Sequence, residues 1–130
     1  MLPDEGACVR LLIQLRWSEG VRCPHCGSGE IVQLTSRYRR HYHRYVCKSC
    51  TRRLGRKRTF TDLTGTLFEG TKVPLAKWFQ AGRLFIMARS TASIAKEVEV
   101  GYLTARRMVR LLAASPYLAA FAEAGNRGER

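Results

Sequence analysis

The chain has 130 residues, with 23 Lys or Arg against 10 Asp or Glu, and its formal net charge is +13. This excess is unlike the near balance of an ordinary soluble enzyme and indicates a polyanionic partner. No run approaches the ~18 consecutive apolar residues of a membrane helix, and the amino terminus lacks the basic start of a signal peptide. We therefore expect a cytoplasmic protein of one modest domain or two very small ones, with no membrane partner.

The first predicted element is a helix over residues 4–17. Cys8 and Leu12 belong to an approximate helical stripe behind an acidic start. We expect this N-terminal helix, within residues 1–20, to pack Trp17 against the segment that follows. Cys8 stands apart from the other cysteines and is predicted to be a small buried apolar residue.

Two Cys-x-x-Cys pairs come next and constrain the chemistry of the chain more tightly than any other feature. Cys23 and Cys26 form the first pair, and Cys47 and Cys50 repeat it after a gap of twenty residues. In a reducing compartment such paired cysteines are metal sites more often than disulfides. Four thiolates complete a tetrahedral Zn²⁺ site and leave no position for a catalytic water. One structural zinc ion is therefore predicted, with these four cysteines as its ligands.

Residues 21–68 are predicted to fold around that ion as a zinc ribbon of three short antiparallel strands. Apolar and alternating patterns place the strands at residues 30–34, 38–46 and 59–63, with a basic loop at residues 51–58. The tyrosines of the second strand either pack on the ribbon or stack on bases. Packing is favoured because so small a ribbon needs every apolar contact.

Ten Lys or Arg residues and no Asp or Glu lie between Ile31 and Thr61. A surface that only needs solvation normally mixes charges of both signs. The guanidinium group donates a fixed fork of hydrogen bonds to phosphate oxygens, so this surface predicts salt-sensitive binding to a nucleic-acid backbone. The residues assigned to that binding are Arg39, Arg40, Arg44, Arg52, Arg53, Arg56, Lys57 and Arg58.

Residues 72–115 are predicted to form an all-α domain that contains a helix-turn-helix. Helices are expected at residues 74–89, 90–98 and 102–114, with a turn at residues 99–101. The outward positions of the last helix are expected to read base edges in the major groove, and an ordinary helical hairpin stays open as the alternative. These outward positions are Tyr102, Leu103, Arg106, Arg107 and Arg110, and all but Leu103 are assigned to DNA binding.

The predicted turn departs from the usual helix-turn-helix pattern at two positions. Glu99 stands where glycine is common, and Gly101 stands where serine commonly caps the second helix. We expect Glu99 to adopt the required left-handed conformation at a cost of ~1 kcal/mol, offset by the packed inner face. Beyond this domain, residues 116–130 are predicted to form a short helix and a frayed polar tail.

Several motifs together carry a family likeness. They are the run from Arg16 to Ser28, Cys47-x-x-Cys50, the run from Phe60 to Phe68, Pro74-Leu75 and Trp78-Phe79. Over about residues 10–112 the chain resembles the amino-terminal region of zinc-ribbon-bearing DDE transposases of prokaryotic insertion sequences. The most specific piece is the Thr-Gly-Thr segment followed by Pro-Leu and Trp-Phe, since the cysteine spacing alone occurs in many unrelated proteins.

The resemblance implies a function in DNA transposition. In such transposases the ribbon and helix-turn-helix recognise the terminal inverted repeats of the element in double-stranded DNA, and a separate RNase H-like domain with an Asp-Asp-Glu triad cuts and joins DNA with Mg²⁺. The residues after Met108 are too few for that domain, so we expect a DNA-binding module that is not an enzyme. The implied location is the prokaryotic cytoplasm, associated with the nucleoid. A separate catalytic subunit or self-association stays open as a further interaction.

The expected fold class is thus small α+β, a zinc ribbon followed by an all-α helix-turn-helix bundle. Other functions stay open beside the transposase-like one. A zinc-ribbon protein for RNA or ribosomes would share the charge and the cysteines. A transcriptional regulator would use the same DNA-binding parts, whereas a scaffold subunit would present Trp78, Phe79 and Tyr117 to a partner protein.

Overall fold

The computed structural model describes residues 2–39 and 41–120. Within them the chain divides into two compact units. The ribbon unit is Val9–Gly70, and the helical unit combines the described parts of Met1–Cys8 and Thr71–Arg130. Three antiparallel strands and several helices in these residues confirm the predicted small α+β class.

Helix α1 spans Glu5–Arg16 and confirms the first predicted element. It begins with a local cap, because the Asp4 carboxylate accepts a hydrogen bond of 2.9 Å from the Ala7 N–H, a donor without a partner inside the helix. Cys8 is buried, and burial raises the pKa of its thiol to about 12. This cysteine is therefore the neutral, buried side chain that was predicted. The boundary between the two units falls directly after it, inside α1.

The ribbon unit contains an antiparallel sheet in the order β1-β2-β3. Its strands are Ile31–Tyr38 for β1, Tyr42–Cys47 for β2 and Thr59–Thr61 for β3. The second strand was predicted to begin at residue 38, which is wrong. Tyr38 is the last residue of β1, and after a turn β2 begins at Tyr42. The alternation of Tyr and Arg runs through this turn without the Gly or Asn that usually marks a hairpin. Tyr42 and Tyr45 are buried, so the predicted packing of the ribbon tyrosines is confirmed for these two.

Helix α2, Lys48–Leu54, corrects the prediction of a basic loop that begins at residue 51. The Cys47 sulfur caps its start by accepting from the Cys50 N–H at 3.4 Å. Gly55 ends the helix in the left-handed conformation, with φ 72°, which glycine adopts without steric cost. Helix α2 has only seven residues, three of them basic, so its sequence shows no helical period of apolar residues.

A buried carboxylate, Asp62, joins Trp17 to the sheet within the ribbon unit. Its Oδ1 accepts hydrogen bonds from Trp17 Nε1 at 2.9 Å and from the Tyr45 hydroxyl at 2.7 Å. Its Oδ2 accepts from the His43 backbone N–H at 2.6 Å and lies 3.2 Å from the His43 Nδ1. A fully buried charge needs this many donors. Trp17 also contacts the rings of Tyr45 and Phe60 edge-on, with centroids 6.2 Å apart, which confirms its predicted packing on the ribbon.

The helical unit is built from α3, α4 and α5, whose spans are Leu75–Ile86, Thr91–Val98 and Tyr102–Ala113. All three predicted helices are confirmed, with ends that differ by three residues or fewer. The largest side chains buried in this unit come from all three helices and include Phe79, Leu84, Ile94, Met108 and Leu112. Apolar packing therefore supplies its core.

The start of α3 is capped from far away in the sequence. Pro74 precedes the helix and provides no side-chain cap. The Glu5 carboxylate instead accepts hydrogen bonds from the backbone N–H groups of Leu75 and Ala76, at 2.9 and 2.8 Å. A carboxylate at this position also complements the positive end of the helix dipole. The first turn of α1 thus stabilises the first turn of α3 within the helical unit.

The segment from α4 to α5 has the geometry expected of the predicted turn. Ser90 caps α4 by accepting from the Ser93 N–H at 3.1 Å. Glu99 ends α4 in the left-handed region, with φ 58° and ψ 54°, as predicted for this position. Gly101 precedes α5 and supplies no side-chain cap.

The predicted tail falls only partly within the described residues. Residues 118–120 are helical, and residues 121–130 lie outside the described part of the chain. Among the helices of the described residues, none has both the length and the apolar character needed to cross a membrane.

Candidate metal centre and nucleic-acid interface

The first cysteine pair lies on a tight turn. Gly27 N–H donates to the Cys23 carbonyl oxygen at 2.8 Å, and Gly27 has φ 76°, which favours glycine. The His25 backbone N–H points at the Cys23 sulfur from 3.4 Å. The turn therefore directs both sulfurs of the pair to one side and places a hydrogen-bond donor beside one of them.

The second pair lies where the sheet meets a helix. Cys47 is the last residue of β2 and pairs with Ile31 of β1, and Cys50 lies in the first turn of α2. Both of these cysteines are 0% exposed. Sheet register and helix geometry thus fix the second half of the site, whereas a turn fixes the first half.

The four sulfurs converge on one point. All four Sγ atoms lie within 4.8 Å of one another. The Sγ–Sγ distance is 3.8 Å for Cys23 and Cys50 and 3.6 Å for Cys26 and Cys47. A tetrahedral zinc ion with Zn–S bonds of about 2.3 Å holds its ligands about 3.8 Å apart. The residues present therefore fit one Zn²⁺, and because they fill its coordination shell, the predicted single structural zinc is confirmed.

The environment of these thiols differs across the site. Burial raises the pKa of Cys50 to about 12, while a hydrogen bond from the Ser28 backbone lowers the pKa of Cys26 to about 7. Zinc binds thiolates, so loading the site releases the protons that burial would otherwise retain. The Arg53 guanidinium lies 3.6 Å from the Cys50 sulfur, where its charge favours the thiolate form and offsets the excess negative charge of four thiolates around one zinc ion.

The exposed basic residues of the ribbon unit have different surroundings. Arg39, Arg56 and Lys57 are exposed. Arg52 is exposed as well, but it forms an ion pair of 2.9 Å with Glu30. Arg53 faces the zinc site, as described above.

Three residues assigned to contact with the nucleic-acid backbone remain. Arg44 and Arg58 are half-buried, and Arg40 lies outside the described residues. A depression of about 260 Å³ lies on this unit. It is lined by Val46, Lys48, Thr51, Arg52 and Lys57.

The outer face of α5 exposes every residue that was assigned to it. Tyr102, Arg106, Arg107 and Arg110 are all exposed. Between them, Ala105 and Met108 are almost fully buried, with 0% and 1% of their surface accessible. The helix therefore has one buried face and one arginine-rich face, and it contains no Asp or Glu.

Sequence reasoning assigned no role to two carboxylates that organise the structure. Asp62 could have been suspected because it is the first acid after the basic stretch of residues 31–61 and lies between Thr61 and Leu63. Pro74 precedes α3 and has no side chain that can cap it. A capping acid from elsewhere, such as Glu5, could therefore have been expected. Each carboxylate has a hydrogen-bond partner more than forty residues away in the sequence, Trp17 for Asp62 and Leu75 for Glu5. No local sequence pattern identifies such a partner.

Two comparisons with known proteins show what parts of the chain are similar to. Residues 3–53 match the family described as transposase zinc-ribbon domain. The chain is also 39% identical over 108 residues to the "Uncharacterized protein in transposable element ISH50" of Halobacterium salinarum. That match covers 82% of this chain and 34% of the relative, so the chain spans about a third of the length of that relative. No solved structure matches the chain.

Proposed function

We propose that this chain is the part of a transposase-related protein that binds double-stranded DNA in a sequence-specific manner, since residues 3–53 match a transposase zinc-ribbon domain and four cysteines fit one structural zinc. Its proposed target is the terminal inverted repeat of its own element. The observation that carries the proposal is the outer face of α5, which exposes three arginines opposite a buried apolar face. Exposed arginines on a helix that follows a tight turn suit the reading of guanine edges in the major groove.

The ribbon unit has a different part in the proposal. Its exposed Arg39, Arg56 and Lys57 bind backbone phosphates and hold the protein on DNA of any sequence. We keep the four predicted segments as the working division of the chain. They are residues 1–20 for the N-terminal helix, 21–68 for the ribbon, 72–115 for the helix-turn-helix domain and 116–130 for the short helix and tail.

The proposed role of these 130 residues is binding and not strand cleavage. Two-metal cleavage of DNA requires a group of carboxylates around its metal ions. In the described residues, the four cysteines are the one group of three or more Cys, His, Asp or Glu side chains close enough to share an ion. Cleavage is assigned to a carboxylate site outside these residues, on the same protein or on a separate catalytic subunit.

The test is a mobility-shift titration at one salt concentration with three probes of equal length. The first is duplex DNA from the inverted repeats that flank the coding sequence, the second is the same duplex with its sequence scrambled, and the third is structured RNA. We expect the order repeat, scrambled duplex, RNA, with the repeat bound at least tenfold more tightly than the scrambled duplex. Tightest binding to RNA would replace this proposal with an RNA-binding or ribosome-binding function. Failure to bind any probe would favour a scaffold subunit.

A further inference from the structure

Leu103 is the most exposed large apolar side chain in the described part of the chain. It leaves 76% of its surface accessible to solvent and is the second residue of α5. The neighbouring Tyr102 is 54% exposed. A single exposed leucine on a protein surface is ordinary, so the position of Leu103 among its neighbours is what carries information.

Leu103 lies on the same face of α5 as the three arginines of that helix. Successive residues of an α-helix are rotated by about 100°, so Arg106, Arg107 and Arg110 all lie within about 60° of Leu103 around the helix axis. The buried Ala105 and Leu112 lie roughly on the opposite side. Leu103 therefore belongs to the face that is proposed to enter the major groove, at its N-terminal end, which in such helices contacts base edges.

An apolar side chain among guanidinium groups has one matching feature on DNA, the 5-methyl group of thymine, which projects into the major groove. We propose that Leu103 contacts a thymine methyl group and that Arg106 or Arg107 reads a guanine beside it. This inference rests on the proposed function. The absence of any acid from α5 favours DNA over a second protein as the molecule that covers Leu103, because a polyanion complements all three arginines at once.

The spacing along the helix limits where the two bases lie. Each residue advances the helix by about 1.5 Å, so Arg106 and Arg107 lie about 4.5 and 6 Å from Leu103 along the axis. Base pairs are stacked about 3.4 Å apart. The thymine is thus expected within two base pairs of the guanine in the preferred site.

The test begins with the full chain and a random pool of duplex DNA, from which the preferred duplex is selected. Each thymine of that duplex is then replaced singly by deoxyuridine, which lacks only the methyl group. We expect a loss of affinity of about fourfold at one thymine, the factor that corresponds to one buried methyl-sized group, and no change at the other positions.

A pair of leucine variants connects that loss to one side chain. Leu103→Ala should bind the thymine and uracil duplexes equally, because the contact that distinguishes them is gone. Leu54→Ala removes an exposed leucine of the ribbon unit and should keep the fourfold preference for thymine. Far-ultraviolet circular dichroism and zinc content should match the unmodified chain for both variants, since both leucines are exposed.

The possible outcomes separate this inference from the proposed function. A preferred duplex in which no thymine responds to uracil overturns the contact with Leu103 and leaves sequence-specific binding intact. A response to uracil that persists in Leu103→Ala also overturns it. Selection that recovers no preferred duplex overturns both the inference and the sequence-specific part of the proposed function.

Discussion

The ribbon unit and the helical unit reach stability by different means. The ribbon unit buries apolar side chains such as Leu12, Leu63 and Phe68, and it adds four sulfurs around one zinc position and a buried carboxylate with donors from three residues. In the helical unit most buried groups are apolar side chains from three helices, and Gln80 is the one buried polar side chain among its described residues. The first kind of core fails when one member is lost, because buried polar groups then lack partners. The second kind loses stability in proportion to the apolar area removed.

Removal of zinc should give the largest difference in stability between the two units. Structural zinc contributes ~10–16 kcal/mol to the folding free energy of small zinc-binding peptides. This is at least as large as the net stability of a typical small domain. We expect a chelator, or Cys50→Ala, to unfold Val9–Gly70 while α3, α4 and α5 remain folded. Hydrogen exchange read by mass spectrometry resolves the two units, and Cys8→Ala is the control cysteine, which should keep its zinc. Equal protection of both units after zinc removal would contradict a zinc-dependent ribbon.

The next largest effect concerns the DNA contacts proposed for each unit. We expect Arg106→Ala with Arg107→Ala to remove most of the preference for the inverted repeat, at ~1–3 kcal/mol for each arginine that reads a base. The matched pair Arg56→Ala and Lys57→Ala removes the same charge from the ribbon unit. It should weaken binding to all sequences alike and reduce the slope of log affinity against log salt by about 2.

Titrations of repeat and scrambled duplexes at four salt concentrations distinguish these two effects. If the ribbon pair changed sequence preference and the α5 pair did not, the assignments of the two units would be reversed. If both pairs acted only through salt dependence, neither unit would read sequence.

Asp62→Asn should be the next most damaging change, and it should act only in the ribbon unit. The amide retains one acceptor oxygen but turns its NH₂ group toward donors on His43 or Tyr45, so at least one buried donor loses its partner. The expected cost is ~2–3 kcal/mol in the free energy of unfolding. Urea unfolding with zinc present, followed by Trp17 fluorescence, measures it. Asp4→Asn changes an exposed cap and should cost less than half as much.

Glu5→Gln should give the smallest effect, in the helical unit. It removes the charge that faces the N-terminus of α3 but keeps one acceptor oxygen, so we expect a loss of ~0.5–1 kcal/mol. Thermal unfolding and hydrogen exchange of α3 measure this loss. Glu19→Gln, at an exposed position, should leave the helical unit unchanged. A larger effect for Glu5→Gln than for Asp62→Asn would contradict the difference between the two kinds of core.

The zinc site could be predicted from sequence because its ligand spacing is a local property of two short turns. The helices of the helical unit could be predicted because their apolar residues recur at the helical period. Helix α2 could not, since its cap is a zinc ligand and its seven residues are too few to show an apolar period. The roles of Asp62 and Glu5 could not, because their partners are brought together only by the fold, in the case of Glu5 across 70 residues. Among the residues proposed to bind DNA, the sequence identified exposed arginines on α5 but not that Arg53 lies 3.6 Å from the Cys50 sulfur.

The boundary inside α1 has a consequence for synthesis of the protein on the ribosome. The ribbon unit is continuous in sequence, from Val9 to Gly70. The helical unit is made of two segments, one before and one after the ribbon unit in the sequence. The ribbon can therefore bind zinc and fold as soon as it emerges, whereas the Glu5 carboxylate must wait for Leu75 to be translated. A single cut cannot excise the helical unit intact, and a fragment that begins at residue 71 would lack the cap of its own first helix.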